Sequence, residues 1–120
     1  MDLNFLWSEK KRILGLPISF TRYSVTEDRF FKEVGLFNTN EDQTQLYKVT
    51  DITVSRSFGQ KILGLGSITL LTSDPSNPKV LIQNIPDPRN VSELLNKLVE
   101  KEKREKNVIF YESQNNPTNF

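Results

Sequence analysis

One helix with a single apolar stripe limits what this chain can form. Apolar residues recur at spacings of three and four along one segment, at Val91, Leu94, Leu95, Leu98 and Val99. Asp87 can accept hydrogen bonds from the first exposed N–H groups, and Pro88 occupies the first helical position, where its missing N–H costs nothing. Because a single apolar stripe must be covered, this helix predicts a hydrophobic opening elsewhere in the fold that it closes.

The remaining sequence favours β-strands. The 120 residues include no Ala, and every apolar residue except one Met is branched or aromatic, types that suit a pleated surface. Six segments have the composition or alternation of strands, at Phe20–Thr26, Phe30–Val34, Gln43–Leu46, Asp51–Ser57, Ser67–Ser73 and Lys79–Ile85. A polar loop is predicted over Asn38–Asp42. The length corresponds to one domain. The predicted strands and the final helix make that domain mainly β with a C-terminal α-helix.

A short helix is predicted between the fourth and fifth of these strands. Ser57 can cap its N-terminus, and Gly64 can close its C-terminus in the left-handed conformation. Glycines at 64 and 66 also suggest a phosphate-binding loop, but no Gly-Lys-Ser/Thr follows them. Because these glycines leave a helix and enter a strand, a helix cap followed by a tight link is the favoured interpretation.

The chain contains no His and no Cys. Thiolate nucleophiles, imidazole bases, disulfides, zinc fingers and haem sites are therefore excluded from its own side chains. Carboxylate pairs at Glu41/Asp42 and Glu27/Asp28 fall in predicted turns, and Asp51 suits a local hydrogen bond better than a catalytic role. The sequence thus predicts a binding module with no catalytic residues, no cofactor and no metal, in preference to a carboxylate-dependent or metal-dependent hydrolase.

Charge is evenly distributed along the chain. Sixteen basic and 15 acidic residues leave a net charge of +1. Nucleic-acid binding is not expected, because it usually requires a clustered basic face. No apolar run approaches the roughly 20 residues of a membrane span, and no secretory signal pattern opens the chain. A cytoplasmic protein is expected, and in one alternative it sits at the inner face of the membrane.

Two segments are candidate contact sites. The apolar run Val108, Ile109, Phe110 and Tyr111 has the composition of a strand that could add to a sheet edge, in its own domain or in a partner. Near the other end, Trp7 is followed by Lys10, Lys11 and Arg12, as in a small interfacial anchor for anionic lipid. At about 1 kcal/mol per cation, such an anchor gives weak attraction, and a solvated turn is the alternative interpretation.

The order of these segments resembles the bacterial pleckstrin-homology (PH) domain family, first catalogued as a domain of unknown function. The resemblance is carried by FTRYSVTEDR, GLF, LYKVTDITV, SFGQKILGLGSI and IPDP, which are found in that order at Phe20–Arg29, Gly35–Phe37, Leu46–Val54, Ser57–Ile68 and Ile85–Pro88. It covers residues 18–100. We therefore divide the chain into a leader over 1–17, a PH-like domain over 18–106 and a tail over 107–120.

The resemblance implies a PH-like barrel of two orthogonal antiparallel sheets closed by one C-terminal helix. Such a fold has seven strands, so one more is expected within Asn4–Ile18. The loop between the first two predicted strands, Thr26–Arg29, is acidic on balance, which argues against inositol-phosphate recognition there. The family resembles adaptor or assembly modules without established catalytic residues, so the expected partner is another protein or a second copy of the chain.

Overall fold

The computed structural model describes residues 5–13 and 19–115, and the side chains of 5–13 and 19–106. Within them the chain forms seven strands, two α-helices and one short 3-10 turn at Leu46–Lys48. The strands are β1 Trp7–Lys10, β2 Thr21–Val25, β3 Arg29–Val34, β4 Asn40–Gln45, β5 Val49–Ser55, β6 Leu65–Thr72 and β7 Lys79–Pro86. The helices are α1 Phe58–Ile62 and α2 Pro88–Asn115.

The strands form two antiparallel sheets. The first has the order β1-β2-β3-β4 and the second the order β5-β6-β7. The backbone N–H of Arg12, just beyond β1, donates to the carbonyl of Asn84 in β7 at 2.8 Å and so links the two sheets. Two antiparallel sheets of four and three strands with a helix after the last strand are the PH-like arrangement that the sequence predicted.

The core lies between the sheets and is covered by α2. Its fully buried members come from both sheets and the helix, and include Tyr23, Val25, Phe30, Ile68, Leu70, Ile82, Ile85 and Leu95. Four of the five predicted stripe residues of α2 are buried, and the fifth, Leu94, packs against the core while partly exposed. Burying a Leu or Val side chain contributes roughly 1.5–3 kcal/mol, so the stripe attaches α2 firmly to the barrel.

The boundaries of β4 differ most from the prediction, and β1 is the strand whose position the sequence did not specify. The expected seventh strand is β1, which forms an edge of the first sheet within the segment assigned to a leader. The predicted loop at Asn38–Asp42 is wrong from Asn40 onwards, because β4 begins there and pairs with β3 from Val34 to Arg29. Thr44 is the one buried residue of β4, so this strand has no apolar alternation that the sequence could reveal.

Helix α2 is longer than its apolar stripe. Its backbone continues to Asn115 and includes Val108–Tyr111, so the prediction of a strand at that run is wrong. Glu102, beyond the apolar stripe, is also buried. Lys101 pairs with Glu27 in the β2–β3 turn at 3.8 Å, which ties this part of α2 to the barrel.

Candidate binding surfaces

Helix α1 is held in place by its own caps. The Ser57 hydroxyl accepts a hydrogen bond from the Gln60 N–H at 3.2 Å, and the Gln60 side-chain oxygen accepts one from the Ser57 N–H at 2.9 Å. This reciprocal pair satisfies two N–H groups that a helix start leaves open. Gly64 follows the helix with φ of 71°, and its N–H donates to the Lys61 carbonyl. Both predicted ends of the short helix are therefore confirmed.

Gln60 also anchors α1 to the second sheet. Its side-chain amide donates to Oγ of Ser67 at 2.8 Å and to Oδ1 of Asn84 at 2.7 Å. The Asn84 N–H donates to the same Ser67 hydroxyl, and Asn84 has the left-handed φ of 53°. A helix of five residues is unstable alone, because fixing the backbone of its first turn costs more free energy than the few hydrogen bonds of that turn recover. The bonds of Gln60 supply the missing stabilisation.

Despite this anchoring, none of the residues of α1 is buried. Phe58 is 80% exposed, Ile62 is 68% exposed and Leu63, which follows the helix, is 47% exposed. Phe58 and Ile62 are four residues apart and therefore neighbours on one helix face. We call these three residues the α1 patch.

A second apolar group lies where β2 begins and β3 ends. Phe20 and Leu36 are each 59% exposed and Phe37 is 93% exposed. The loop after β3 requires glycine at position 35, because φ there is 125° and a methyl group would collide with the Asn38 carbonyl. The Gly35 N–H donates to the Phe20 carbonyl at 3.0 Å and so brings the two segments together. Phe20, Leu36 and Phe37 form what we call the loop patch.

Hydrogen bonds connect the bases of the two patches. Thr21, beside Phe20, accepts a backbone hydrogen bond from Lys11 at 2.9 Å, and the next residue, Arg12, donates to Asn84 at 2.8 Å. Asn84 in turn accepts from Gln60 of α1. The two patches are thus linked through the segment after β1 and through Asn84 of β7. Neither was predicted, because the sequence does not show which apolar residues remain outside the core.

The predicted membrane-contact residues are divided by the fold. Trp7 is partly buried against the core, so its ring is not presented as an anchor. Arg12 pairs with Glu9 at 3.2 Å, and Lys11 is half-buried. Lys10 instead lies beside the loop patch.

The depression that Lys10 helps to form has a volume of about 190 Å³. Phe20 and Leu36 of the loop patch line it, and Arg22 adds a second cation. Glu33 lines it as well, so one carboxylate opposes the two cations. Of the four predicted membrane-contact residues, Lys10 alone lines this depression, so the predicted contact stays a prediction.

Carboxylates are dispersed over the described residues, where no group of three or more His, Cys, Asp or Glu could hold a metal. Glu41 and Asp42 lie in β4, so their predicted turn is wrong. The Asp51 carboxylate accepts the Ile52 N–H at 3.0 Å, which confirms its local role.

The acidic β2–β3 turn is beside α2. In addition to the bond between Glu27 and Lys101, Asp28 lies near the buried Glu102. Burial raises the pKa of Glu102. Glu105 raises it further through a hydrogen bond and through charge repulsion, and the charge of Asp28 acts in the same direction. The nearby cations Arg29 and Lys101 are already paired with Asp28 and Glu27, so this corner offers no unopposed positive charge to an anionic ligand.

The glycines after α1 do not form an anion cradle. A methyl group on Gly66 would lie 2.5 Å from Cγ of Pro88 and 2.8 Å from Cγ of Arg56. The backbone of Gly66 is thus packed against the start of α2. The absence of a side chain there serves close packing, in agreement with the favoured interpretation of the sequence.

The part of the chain that is similar to known proteins is the barrel with the first part of α2. A family model described as "Bacterial PH domain" matches residues 13–99, which is more than half of the chain. Neither a curated protein nor a solved structure matches significantly. Among the described residues, no helix has a stretch long and apolar enough to span a membrane.

Proposed function

Because this chain belongs to the bacterial PH domain family, we propose that it is a non-catalytic adaptor or assembly module that binds a protein partner or a second copy of itself. The observation that carries the proposal is the α1 patch. Its helix is fixed by caps and by the bonds of Gln60, yet the apolar side chains that it carries face solvent. Exposed apolar groups on an ordered element are typical of interaction sites.

A rigid α1 also reduces the cost of binding. Ordering a flexible segment on association opposes affinity, whereas a helix already fixed in the free protein loses little further freedom. Aromatic side chains such as Phe58 are well suited to such contacts, since they bury a large area with few rotatable bonds.

The test replaces Phe58 and Ile62 by Ser in the full chain. Neither side chain is in the core, so we expect a change of less than about 0.5 kcal/mol in the free energy of unfolding. Self-association, measured by light scattering over a range of concentrations, or partner capture from the source cell should be lost. The matched control replaces Leu71 and Leu81 by Ser, which removes similarly apolar side chains, 40% and 38% exposed, on the second sheet.

The proposal requires that the control variant behave like the native chain while the α1 variant does not. Equal masses and equal capture for the native chain and both variants would contradict the α1 patch as the contact. Equal losses in both variants would indicate a general effect of apolar surface rather than a specific site.

A second candidate function is attachment to the inner face of an anionic membrane. The supporting observation is the loop patch, where Phe20 and Leu36 share a depression with Lys10 and Arg22. Apolar side chains can enter the headgroup region while adjacent cations attract anionic lipid. With two cations opposed by Glu33, attraction would be weak and salt-dependent.

Co-sedimentation with vesicles tests this second candidate. The native chain should bind anionic vesicles at low salt and bind neutral vesicles much less. Replacing Leu36 and Phe37 by Ser, or Lys10 and Arg22 by Ser, should abolish binding. Replacing the exposed Lys97 and Arg104 of α2 by Ser serves as the charge control. Absence of binding by the native chain at low salt would rule the candidate out.

A further inference from the structure

Strand β5 is the least protected sheet edge in the described part of the molecule. Edge strands usually carry charges, prolines or bulges that prevent pairing with another chain. β1 has only four residues and includes Glu9 and Lys10, β4 has two adjacent carboxylates, and β7 has Lys79 and Pro86. β5 spans seven residues with the sequence VTDITVS, in which Asp51 is the one charged residue and a bulge affects the first residues alone.

The backbone of β5 presents hydrogen-bonding groups away from its sheet. Asp51, Thr53 and Ser55 alternate with Ile52 and Val54 in the pairing with β6. The N–H of Ile52 is directed to the Asp51 carboxylate rather than to β6. Because N–H groups alternate in direction along an antiparallel strand, the N–H and carbonyl of Val54 also point outward. A further strand could pair with them.

The side chains next to this edge are incompletely covered. Val54 and Ile52 lie opposite Ile68 and Leu70, the buried row of β6. Val54 is nevertheless 38% exposed, and Ile52 is half-buried. An added strand would place its own apolar side chains beside these two residues.

A cleft lies where β5 ends and α2 begins. It has a volume of about 400 Å³ and is lined by Val54, Arg56, Gly64, Asp87, Pro88 and Arg89. Nε of Arg56 donates to the Leu65 carbonyl at 2.9 Å, which fixes that side chain at the cleft. The single carboxylate, on Asp87, already accepts from the Asn90 amide at 2.9 Å. Two guanidinium groups against one carboxylate favour an acidic ligand.

We propose that β5 binds an extended peptide segment of a partner protein as an added antiparallel strand. Its apolar side chains cover Val54 and Ile52, and an acidic residue at its N-terminal end enters the cleft between Arg56 and Arg89. An antiparallel strand has its N-terminal end beside the C-terminal end of β5, which sets this orientation. The inference rests on the proposed protein-binding function and assigns it a second, separate surface.

The experiment uses the full chain and a labelled synthetic peptide, Glu-Glu-Thr-Val-Thr-Val-Thr-Val, with binding followed by fluorescence anisotropy. Two companion peptides replace Glu-Glu by Lys-Lys, or the central Val by Pro, which cannot complete the strand pairing. We expect saturable binding of the first peptide and weaker binding of both companions. Amide signals of β5 should be the ones that shift in NMR spectra.

Two variants test the site on the protein. Val54→Pro removes the outward N–H, a change that edge strands tolerate, and should weaken binding about tenfold through the lost hydrogen bond and apolar contact. Arg89→Glu leaves the strand intact and should reverse the preference, so that the Lys-Lys peptide binds more tightly than the Glu-Glu peptide. Lys97→Glu makes the same charge change elsewhere on α2. It should alter neither the affinity for the Glu-Glu peptide nor the affinity for the Lys-Lys peptide.

Lack of saturable binding by the native chain would overturn the inference, as would binding that Val54→Pro and Arg89→Glu leave unchanged. A dimer of the native chain that Val54→Pro dissociates would identify a second copy as the occupant and also overturn it. If peptide binding fails while the change of Phe58 and Ile62 to Ser still abolishes capture, the β5 inference alone is lost and the proposed function stands.

Discussion

At the scale of single residues, Glu102 is the one charged side chain that is buried among the residues whose side chains are described. It is 8% exposed and lies near Glu105 and Asp28. Its raised pKa means that the folded chain retains this proton at a pH where the unfolded chain, with an ordinary value of 4.5, has released it. Stability therefore falls as the pH rises from about 4.5 through the folded-state pKa.

We expect Glu102→Gln to stabilise the protein at neutral pH. The change removes the partly desolvated charge and its repulsion from Glu105, with a gain of up to about 1 kcal/mol in the free energy of unfolding. The gain should disappear below about pH 4, as the Glu102 carboxyl becomes protonated in the unfolded chain as well as in the folded one. Urea denaturation across this range measures the effect. Glu100→Gln, at an exposed position on the same helix, should show no such dependence, and an equal gain in both variants would contradict the role of burial.

At the scale of elements, the junction between β6 and α2 depends on one close approach. Gly66→Ala would bring a methyl group against the Pro88 ring, so we expect a loss of about 1–3 kcal/mol in the free energy of unfolding. Gly59 lies inside α1 with no atom within 4 Å of its additional methyl position, and Gly59→Ala should raise stability by up to about 1 kcal/mol. Similar effects of both substitutions in denaturant titrations would contradict the packing argument.

Elements with local signals could be predicted from the sequence, and those fixed by distant contacts could not. The spacing of apolar residues indicated α2, and Ser57 with Gly64 indicated α1. The start of β4 was missed because Asn40 becomes a strand residue through pairing with Val34, without an apolar pattern of its own. The exposure of the α1 patch was missed because it depends on the bond between Gln60 and Asn84, which are 24 residues apart.

At the scale of the whole molecule, α2 combines two regions. The first, from Val91 to Glu102, packs against the barrel, and Lys106 still lies over the ring of Tyr47 at 5.2 Å from its centre. Beyond it the helical backbone continues through Val108–Tyr111. The sequence-based prediction that this apolar run binds a partner stays a prediction, now with a helix as the contacting element.

A chain ending at Lys106 tests that prediction. It retains every residue of α2 that the structure describes as packed on the barrel, so its unfolding transition should match that of the full chain. We expect its self-association or its capture of a partner to be lost, as measured by light scattering and affinity capture. Identical monomeric masses together with undiminished capture would show that Val108–Tyr111 is not a contact.

The closing helix follows all seven strands in the chain, and this order affects how the protein folds during synthesis. The link between Arg12 and Asn84 cannot form until β7 has left the ribosome, and α2 emerges later still. Until then, the core is incomplete, because a nascent chain exposes the apolar surface that later segments bury. The exposed core residues include Tyr23, Leu70 and Ile82. The nascent barrel is therefore at its most aggregation-prone just before α2 is complete, and a chaperone that binds it at that stage would occupy the surface that the helix later covers.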